Sequence, residues 1–356
     1  MLSFRYTYME LRRIFFVALV AVMALSCAPA DRYVSFSGFA QGGTYTVKLN
    51  LKGVNVKVEE IRDSVDHILS SIDKSLSGYN GNSLLSRFNA GEEISPDSMF
   101  VDIYEKAYGF YEETEGMLDV ASGPLFDLWG FGFKNGDLPD DSEVADALKI
   151  SGMDRLRHDM KNAVSPAGIL CGKDLLIDGG TELPVLNYNA IAQGYSCDKV
   201  AAYLYSIGVK DMMVDIGEIF CDGKNPSGRQ WTIAIDRPRD GNNDPGADIQ
   251  GIFRVPEGPH GIVTSGNYRK FHIKDGKKYA HTIDPRTGYP VMHNLLSATI
   301  VADDALTADA YATYCMAIGL EASISFLSSR QGIEGCLIYD EDGSFMTWCS
   351  DGFLLE

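Results

Sequence analysis

Positive charge is scarce in this chain. Lys and Arg together number 31 against 49 Asp and Glu, and the formal net charge is -18. A surface of that sign repels phosphate backbones, so nucleic acid is excluded as an expected partner. An anionic small ligand would need a metal ion or local backbone amides to hold it. No two cysteines stand in C-x-x-C spacing, which removes zinc-ribbon and thioredoxin-type readings. Beyond residue 25 no apolar run is long enough to span a bilayer. From position 36 onward there is no long linker, low-complexity tract or internal repeat. Disordered and collagen-like classes are excluded by 45% hydrophobic and 22% charged residues.

What is present begins with a leader. Arg5, Arg12 and Arg13 precede the apolar run 14–25, which has the size of a signal-peptide core. The run ends Ala24-Leu25-Ser26-Cys27, a small residue followed by Cys, and this reads as a lipoprotein cleavage site. The expectation is a signal peptide over 1–26, lipid on Cys27, a tether over 27–35 and one folded unit over 36–356. The alternative is an ordinary cleaved signal with an incidental cysteine. Loss of three Arg and one Glu would take the net charge to about -20. The body is then expected on the extracytoplasmic (periplasmic) face of a bacterial membrane, held there by its lipid. Six further cysteines, Cys171, Cys197, Cys221, Cys315, Cys336 and Cys349, can pair in an oxidising compartment or remain buried thiols.

Periodicity supplies the elements. Residues 44–49 alternate like a strand. Val58, Ile61, Val65, Ile68, Leu69, Ile72 and Leu76 recur at helical steps, as do Met99, Phe100, Ile103, Ala107, Phe110 and Tyr111. Asp141-Ser142 predicts a helix start, with the end near Gly152. A hairpin is expected over 170–177, turning at Gly172-Lys173-Asp174, and a helix over 191–207. Short strands follow at 212–216, 231–235, 261–265, 269–274 and 279–283. A strand at 297–302 then leads into helices at 306–318 and 321–329 and a hairpin over 335–348. Strands and helices interleave without βαβ regularity, which predicts α+β.

Four stretches could carry chemistry. Asp309 and Thr313 are four apart on a predicted helix and share a face. Carboxylate and hydroxyl are hard donors suited to magnesium, although Asp309 could instead only complement the helix dipole. The run Asn187-Tyr188-Asn189-Ala190-Ile191-Ala192-Gln193-Gly194 leads into a helix, where free N–H groups and open carbonyls can hold a phosphate or a metal. His281, Asp284 and Arg286 fall within six residues. His281 could act in acid–base chemistry, or be a packed residue beside a turn capped by Asp284. Trp129, Gly130 and Phe131 could receive a planar ring, as could Tyr79. Read singly, Trp129 and Phe131 are more readily ordinary core aromatics beside a loop.

In their order these segments resemble the ApbE family of FAD:protein FMN transferases. The resemblance covers about residues 36–356. It runs through Gly43-Thr44-Tyr45, Leu76-Ser77-Gly78-Tyr79, Ser86-Arg87-Phe88-Asn89, Gly123-Pro124-Leu125, Leu128-Trp129-Gly130-Phe131-Gly132 and the loop 187–195. It continues through Asp215-Ile216-Gly217-Glu218, Trp231-Thr232-Ile233-Ala234-Ile235, Thr264-Ser265-Gly266, residues 281–290 and Ala308-Asp309 with Thr313. The resemblance implies an ApbE-like, T-fold-related α+β fold of mixed sheets and packed helices. It implies Mg²⁺ on the Asp309 carboxylate, the Thr313 hydroxyl and the Ala190 carbonyl. FAD, as substrate, is expected on Tyr79, Trp129, Gly130, Phe131, Asn187, Gln193 and Ile283, with His281 near the pyrophosphate.

The implied reaction passes FMN to a Ser/Thr hydroxyl on an acceptor protein and releases AMP. The implied acceptor is a subunit of a membrane electron-transfer complex carrying a flavinylation motif. Two other outcomes are open at this stage: an Mg²⁺-dependent FAD pyrophosphatase, and a non-catalytic FAD-binding lipoprotein. The chain departs from the family's usual residues at Asn187, Asn189, Gln193 and Asn267.

Overall fold

The structure, a computed structural model, describes residues 31–131, 138–177, 179–242, 246–268, 271–274 and 277–356. The leader over 1–26 and Cys27 lie outside the described residues. Eight strands form one sheet in the order β1-β2-β3-β4-β7-β10-β11-β12, and every pairing is antiparallel. They are β1 (Tyr33–Ala40), β2 (Gly43–Asn50), β3 (Met212–Asp215), β4 (Ile219–Asp222), β7 (His260–Gly266), β10 (Leu295–Ala302), β11 (Glu334–Glu341) and β12 (Ser344–Cys349). Two separate ribbons, β5 (Thr232–Asp236) with β6 (Ile249–Arg254) and β8 (Phe271–Lys274) with β9 (Lys277–Ala280), complete the strands among the described residues.

The helices are α1 (Val58–Leu76), α2 (Leu84–Asn89), α3 (Ser98–Glu113), α4 (Gly123–Leu128), α5 (Asp141–Lys149), α6 (Ala192–Ser206), α7 (Ala305–Ile318) and α8 (Leu320–Ser329). Among the described residues no helix is long and apolar enough to cross a membrane.

Strand alternation explains the layering, because successive side chains point to opposite faces. Val263, Ile300 and Leu337 face α7 and α8, while their neighbours Ile262, Val301, Cys336 and Ile338 face the β5–β6 ribbon. The sheet therefore lies between a helical layer and a smaller β layer. On the helical side, α1 and α6 cover β2 and β3 through Ile61, Val65, Leu69, Val200 and Leu204. The helix α7 is apolar nearly all round, since Ala308, Ala310, Tyr311, Ala312, Cys315 and Met316 are all buried. A helix of that kind belongs in a core, so the one carboxylate on it, Asp309, is carried inside.

Several expectations need correction. The strand β1 begins at Tyr33, so the folded unit takes in the last three residues read as tether. It escaped notice because Gly38 breaks its alternation; a Cβ there would stand 2.4 Å from the Tyr45 ring. The hairpin expected over 170–177 does not form. Gly172–Leu175 is a 3₁₀ turn, and each arm pairs elsewhere, Leu170 with Ile94 and Leu176 with Leu156. The strand expected over 279–283 stops at Ala280, and Ile283 makes an isolated bridge to Pro290 because the chain reverses at Asp284. The cap of α5 is Asp140, whose carboxylate accepts from Ser142 and Glu143 N–H groups in a capping box with Glu143.

Candidate active site

The approach to α6 is fixed from three sides. The Asn89 amide brackets Leu186, donating to its carbonyl and accepting from its N–H, each at 2.9 Å. Asn187 N–H donates to the Val120 carbonyl at 2.7 Å. The Asn187 side chain accepts from Asn189 N–H at 3.0 Å, and the Asn189 amide donates to the Tyr79 hydroxyl at 3.1 Å. Near the start of α6, Gln193 Nε2 donates to the Ile216 carbonyl in the β3–β4 turn at 3.0 Å.

In an uninterrupted helix the Gly194 N–H would bond the carbonyl four residues back, that of Ala190. Here it donates to Asp309 Oδ2 at 2.9 Å. The Ala190 carbonyl consequently has no hydrogen bond to any described residue. This diversion depends on Gly194 lacking a side chain: a Cβ would stand 2.3 Å from the Ala305 carbonyl oxygen and 2.8 Å from the Asp309 Cβ. The two helices cross at that contact.

The start of α7 is saturated with carboxylate. Asp304 caps it, accepting from Thr307 N–H at 2.7 Å, and Asp198 accepts from Ala305 and Leu306 N–H at 2.8 and 2.9 Å. Burial pushes the Asp198 carboxyl up to about 6. Asp309 is 5% exposed. Burial pushes its carboxyl up to about 8, the Gly194 N–H pulls it down, and the Asp198 charge adds to the rise. A buried, unpaired carboxylate costs several kcal/mol, whereas one hydrogen bond to a charged group returns only about 1.5–3 kcal/mol. Asp309 is therefore left needing either a proton or a cation.

The Thr313 hydroxyl lies one turn on, 3.4 Å from the Ser265 hydroxyl at the end of β7. The donors gathered here are one carboxylate, hydroxyls and a vacated carbonyl, a hard-oxygen set that fits Mg²⁺. Among the described residues no three His, Cys, Asp or Glu side chains cluster as metal ligands.

A second group of residues lies around α4 and the 281–290 turn. The helix α4 ends in a Schellman motif. Phe131 N–H donates to the Phe126 carbonyl and Gly130 N–H to the Asp127 carbonyl, with Gly130 at φ +75°. The Trp129 ring is 4% exposed, its Nε1 donates to the Gly288 carbonyl at 2.8 Å, and it stacks on Tyr279. The Trp129 ring is a wall of the core, whereas Phe131 is half-buried. Phe131 meets His281 edge to face at 6.3 Å. Ile283 is buried with Trp129 and Leu125. Asp284 caps its own turn, accepting from Arg286 N–H at 2.9 Å and pairing with the Arg286 guanidinium. Tyr79, by contrast, stands 68% exposed.

The two groups are tied by residues 118–123. Val120 holds Asn187, and Gly123 N–H donates to the Val185 carbonyl at 3.1 Å. Asp119 organises that segment, accepting from Ala121 and Met153 N–H at 2.8 and 3.2 Å. Burial pushes the Asp119 carboxyl up to about 7, against the pull of those two bonds. A folded-state value above the unfolded one means that its contribution is complete below about pH 4 and is lost as pH rises through about 7. Denaturant melts of the metal-free protein at several pH values should lose stability over that window more steeply than those of Asp119→Asn. Equal slopes would remove Asp119 from the account.

Sequence reasoning missed Asp198, Asn89 and the role of Gly194. Asp198 acts across 107 residues and left no local signal.

Residues 42–337 match the ApbE family model. The chain is 32% identical to "FAD:protein FMN transferase" of Vibrio cholerae serotype O1 over 345 residues, covering 95% of this chain and 97% of that protein. It is 32% identical to the protein of the same description from Escherichia coli (strain K12), covering 86% and 84%. Among solved structures it resembles "Flavin Transferase ApbE from Vibrio cholerae" with TM-score 0.75 at 30% identity, covering 91% of this chain and 100% of that one. It also resembles the apo form of Pseudomonas stutzeri flavinyl transferase ApbE, again with TM-score 0.75, at 29% identity. With its sheet, its helices and the greater part of its sequence all matching, the chain belongs to the ApbE family.

Proposed function

We propose that this chain is an FAD:protein FMN transferase, with FAD as its substrate and a Ser or Thr hydroxyl of another protein as acceptor. The observation that carries this reading is the Asp309 carboxylate, buried against the start of α6 beside a carbonyl released from helix pairing. Asp309, Thr313 and the Ala190 carbonyl would hold Mg²⁺. When bound, the ion supplies positive charge against the FAD pyrophosphate and the charge that builds on it during transfer. The remaining work belongs to the chain. Tyr79, Gly130 and Phe131 receive the flavin end, while Ile283 and the Trp129 ring form a fixed wall behind it. Asn187 and Gln193 hold the loop that presents Ala190, since each is anchored to backbone outside α6.

The acceptor hydroxyl attacks the FMN-side phosphorus and AMP departs. His281, set against Phe131, takes or gives the proton at that exchange or steadies the departing phosphate. Positioned acid–base groups contribute about 10²–10⁴-fold, so His281→Ala should slow transfer by about a hundredfold with FAD affinity little changed. Unaltered transfer would remove His281 from the mechanism.

The decisive experiment is intact-mass analysis of a flavinylatable acceptor after incubation with the protein, FAD and Mg²⁺. The expected result is a mass increase of one FMN less one water, with equimolar AMP. AMP without acceptor modification would favour a pyrophosphatase, and neither product would favour an FAD-binding protein. The acceptor is proposed to be a subunit of a membrane electron-transfer complex. Lipid on Cys27 would keep the enzyme at the same membrane surface, on its extracytoplasmic face; metabolic labelling lost in Cys27→Ala is the corresponding test.

A further inference from the structure

We infer that Cys336 and Cys349 are a dithiol arranged to close into a disulfide between the last two strands of the sheet. The register of β11 and β12 sets the two residues directly opposite. One position outward, Ser350 N–H donates to the Gly335 carbonyl at 2.9 Å. Gly335 N–H turns instead to the Ser350 hydroxyl at 2.9 Å. Counted from the Glu341–Ser344 pair that closes the two-residue turn, which is hydrogen-bonded, the alternation makes Cys336 with Cys349 a non-hydrogen-bonded pair. In such pairs the Cα atoms stand about 4.5 Å apart and the side chains are closest. That spacing falls inside the range of about 4.4–6.8 Å that disulfides span.

The two thiols perturb each other across the strand pair: the neighbouring Cys349 raises the Cys336 thiol, and Cys336 lowers that of Cys349. No other described cysteine faces a second one across a strand pair. Cys315 is buried with α7, whereas Cys221 is buried on the opposite face of the sheet. Cys197 donates to the Glu218 carbonyl at 3.1 Å.

Exposure sets the order of events. Cys336 is fully buried and Cys349 is half-buried, so Cys349 is the point of entry. Its thiolate attacks a small-molecule or protein disulfide, forming a mixed disulfide and expelling one thiolate. The Cys336 sulfur then loses its proton, attacks Cys349 Sγ and expels the second thiolate. Two protein S–H bonds are exchanged for one S–S bond, and the donor disulfide takes both electrons and both protons.

The closed ring would pin β12, an outermost strand of the sheet. It would also anchor the C-terminal residues, which leave β12 and pair with the ribbon through Ile252 and Glu356. The bond lies on the ribbon face, opposite the face where Leu337 meets α7, so the donors on α7 are undisturbed.

The test uses the purified protein in an oxidised/reduced glutathione buffer, with and without dithiothreitol. The expected result is a loss of two hydrogen masses, a peptide joining Cys336 to Cys349, and a melting temperature higher by about 3–6 °C in the oxidised form. FMN transfer should change by less than about twofold. Cys349→Ala should lose both the mass change and the thermal shift. Full alkylation of both thiols after oxidation would overturn the inference, and so would a dominant link between other cysteines.

Discussion

Replacing Asp309 by alanine should lower FMN transfer by about a thousandfold or more, because the substitution removes the one charged donor from the proposed ion site. Asp309 is the only carboxylate on α7 beyond its cap, and it sits where the Gly194 N–H leaves the Ala190 carbonyl unused. The proposed flavin contacts at Gly130 and Phe131 belong to the second group, around α4, so FAD affinity should fall by much less than the rate. The loss should persist at every Mg²⁺ concentration.

Asp309→Asn separates chemistry from folding. It keeps the oxygen that accepts from Gly194 and removes the charge. Burial has already pushed the native carboxyl up to about 8. The neutral form is thus the one folding favours, and the metal-free asparagine variant should be at least as stable as the parent above that pH. A stable variant with no transfer is the expected outcome. Transfer at the parental rate would refute the assignment.

Gly194→Val should be nearly as damaging, for a steric reason. The first added carbon would stand 2.3 Å from the Ala305 carbonyl oxygen, a backbone atom in the first turn of α7 that cannot rotate away. Separating α6 from α7 costs about 3 kcal/mol or more at such an overpacked contact. It also moves the Ala190 carbonyl away from Asp309. Transfer should drop about a hundredfold even under conditions where the variant is folded, since misplacement of about 1 Å is enough for that. Gly109→Ala is the matching control. Gly109 is an exposed position within α3, a Cβ there meets nothing within 4 Å, and the helix should gain about 0.5–1 kcal/mol. Circular dichroism melts and transfer rates on both variants check the pair. Equal tolerance at the two positions would mean that the α6–α7 crossing is not tight.

Much of this arrangement was legible in the chain because its signals are local. The three- and four-residue steps from Val58 to Leu76 gave α1 to the residue. The spacing of Asp309 and Thr313 gave their shared face, and the apolar residues around them gave the burial. The small residues leading into α6 marked a loop–helix junction that does lie against Asp309. What remained hidden was non-local. The strand β1 carries one buried residue, Phe36, and so shows little alternation. Trp129 taken singly read as core before ligand platform, and its stacking on Tyr279 and its bond to Gly288 put the ring in the core. Asp198, which holds the start of α7, is far away in sequence. Asn267 is buried, its amide donating to the Leu295 carbonyl at 3.0 Å. That bond accounts for an amide at this position, because a carboxylate could not make it.

The most direct measurement is the anomalous scattering of a crystal soaked with Mn²⁺, in place of Mg²⁺, together with FAD or ADP. The account expects a peak about 2.0–2.3 Å from an Asp309 carboxylate oxygen, in reach of the Thr313 hydroxyl and the Ala190 carbonyl, with the nucleotide's phosphates on its open side. A peak on the pyrophosphate with Asp309 still bound only to Gly194 would contradict it.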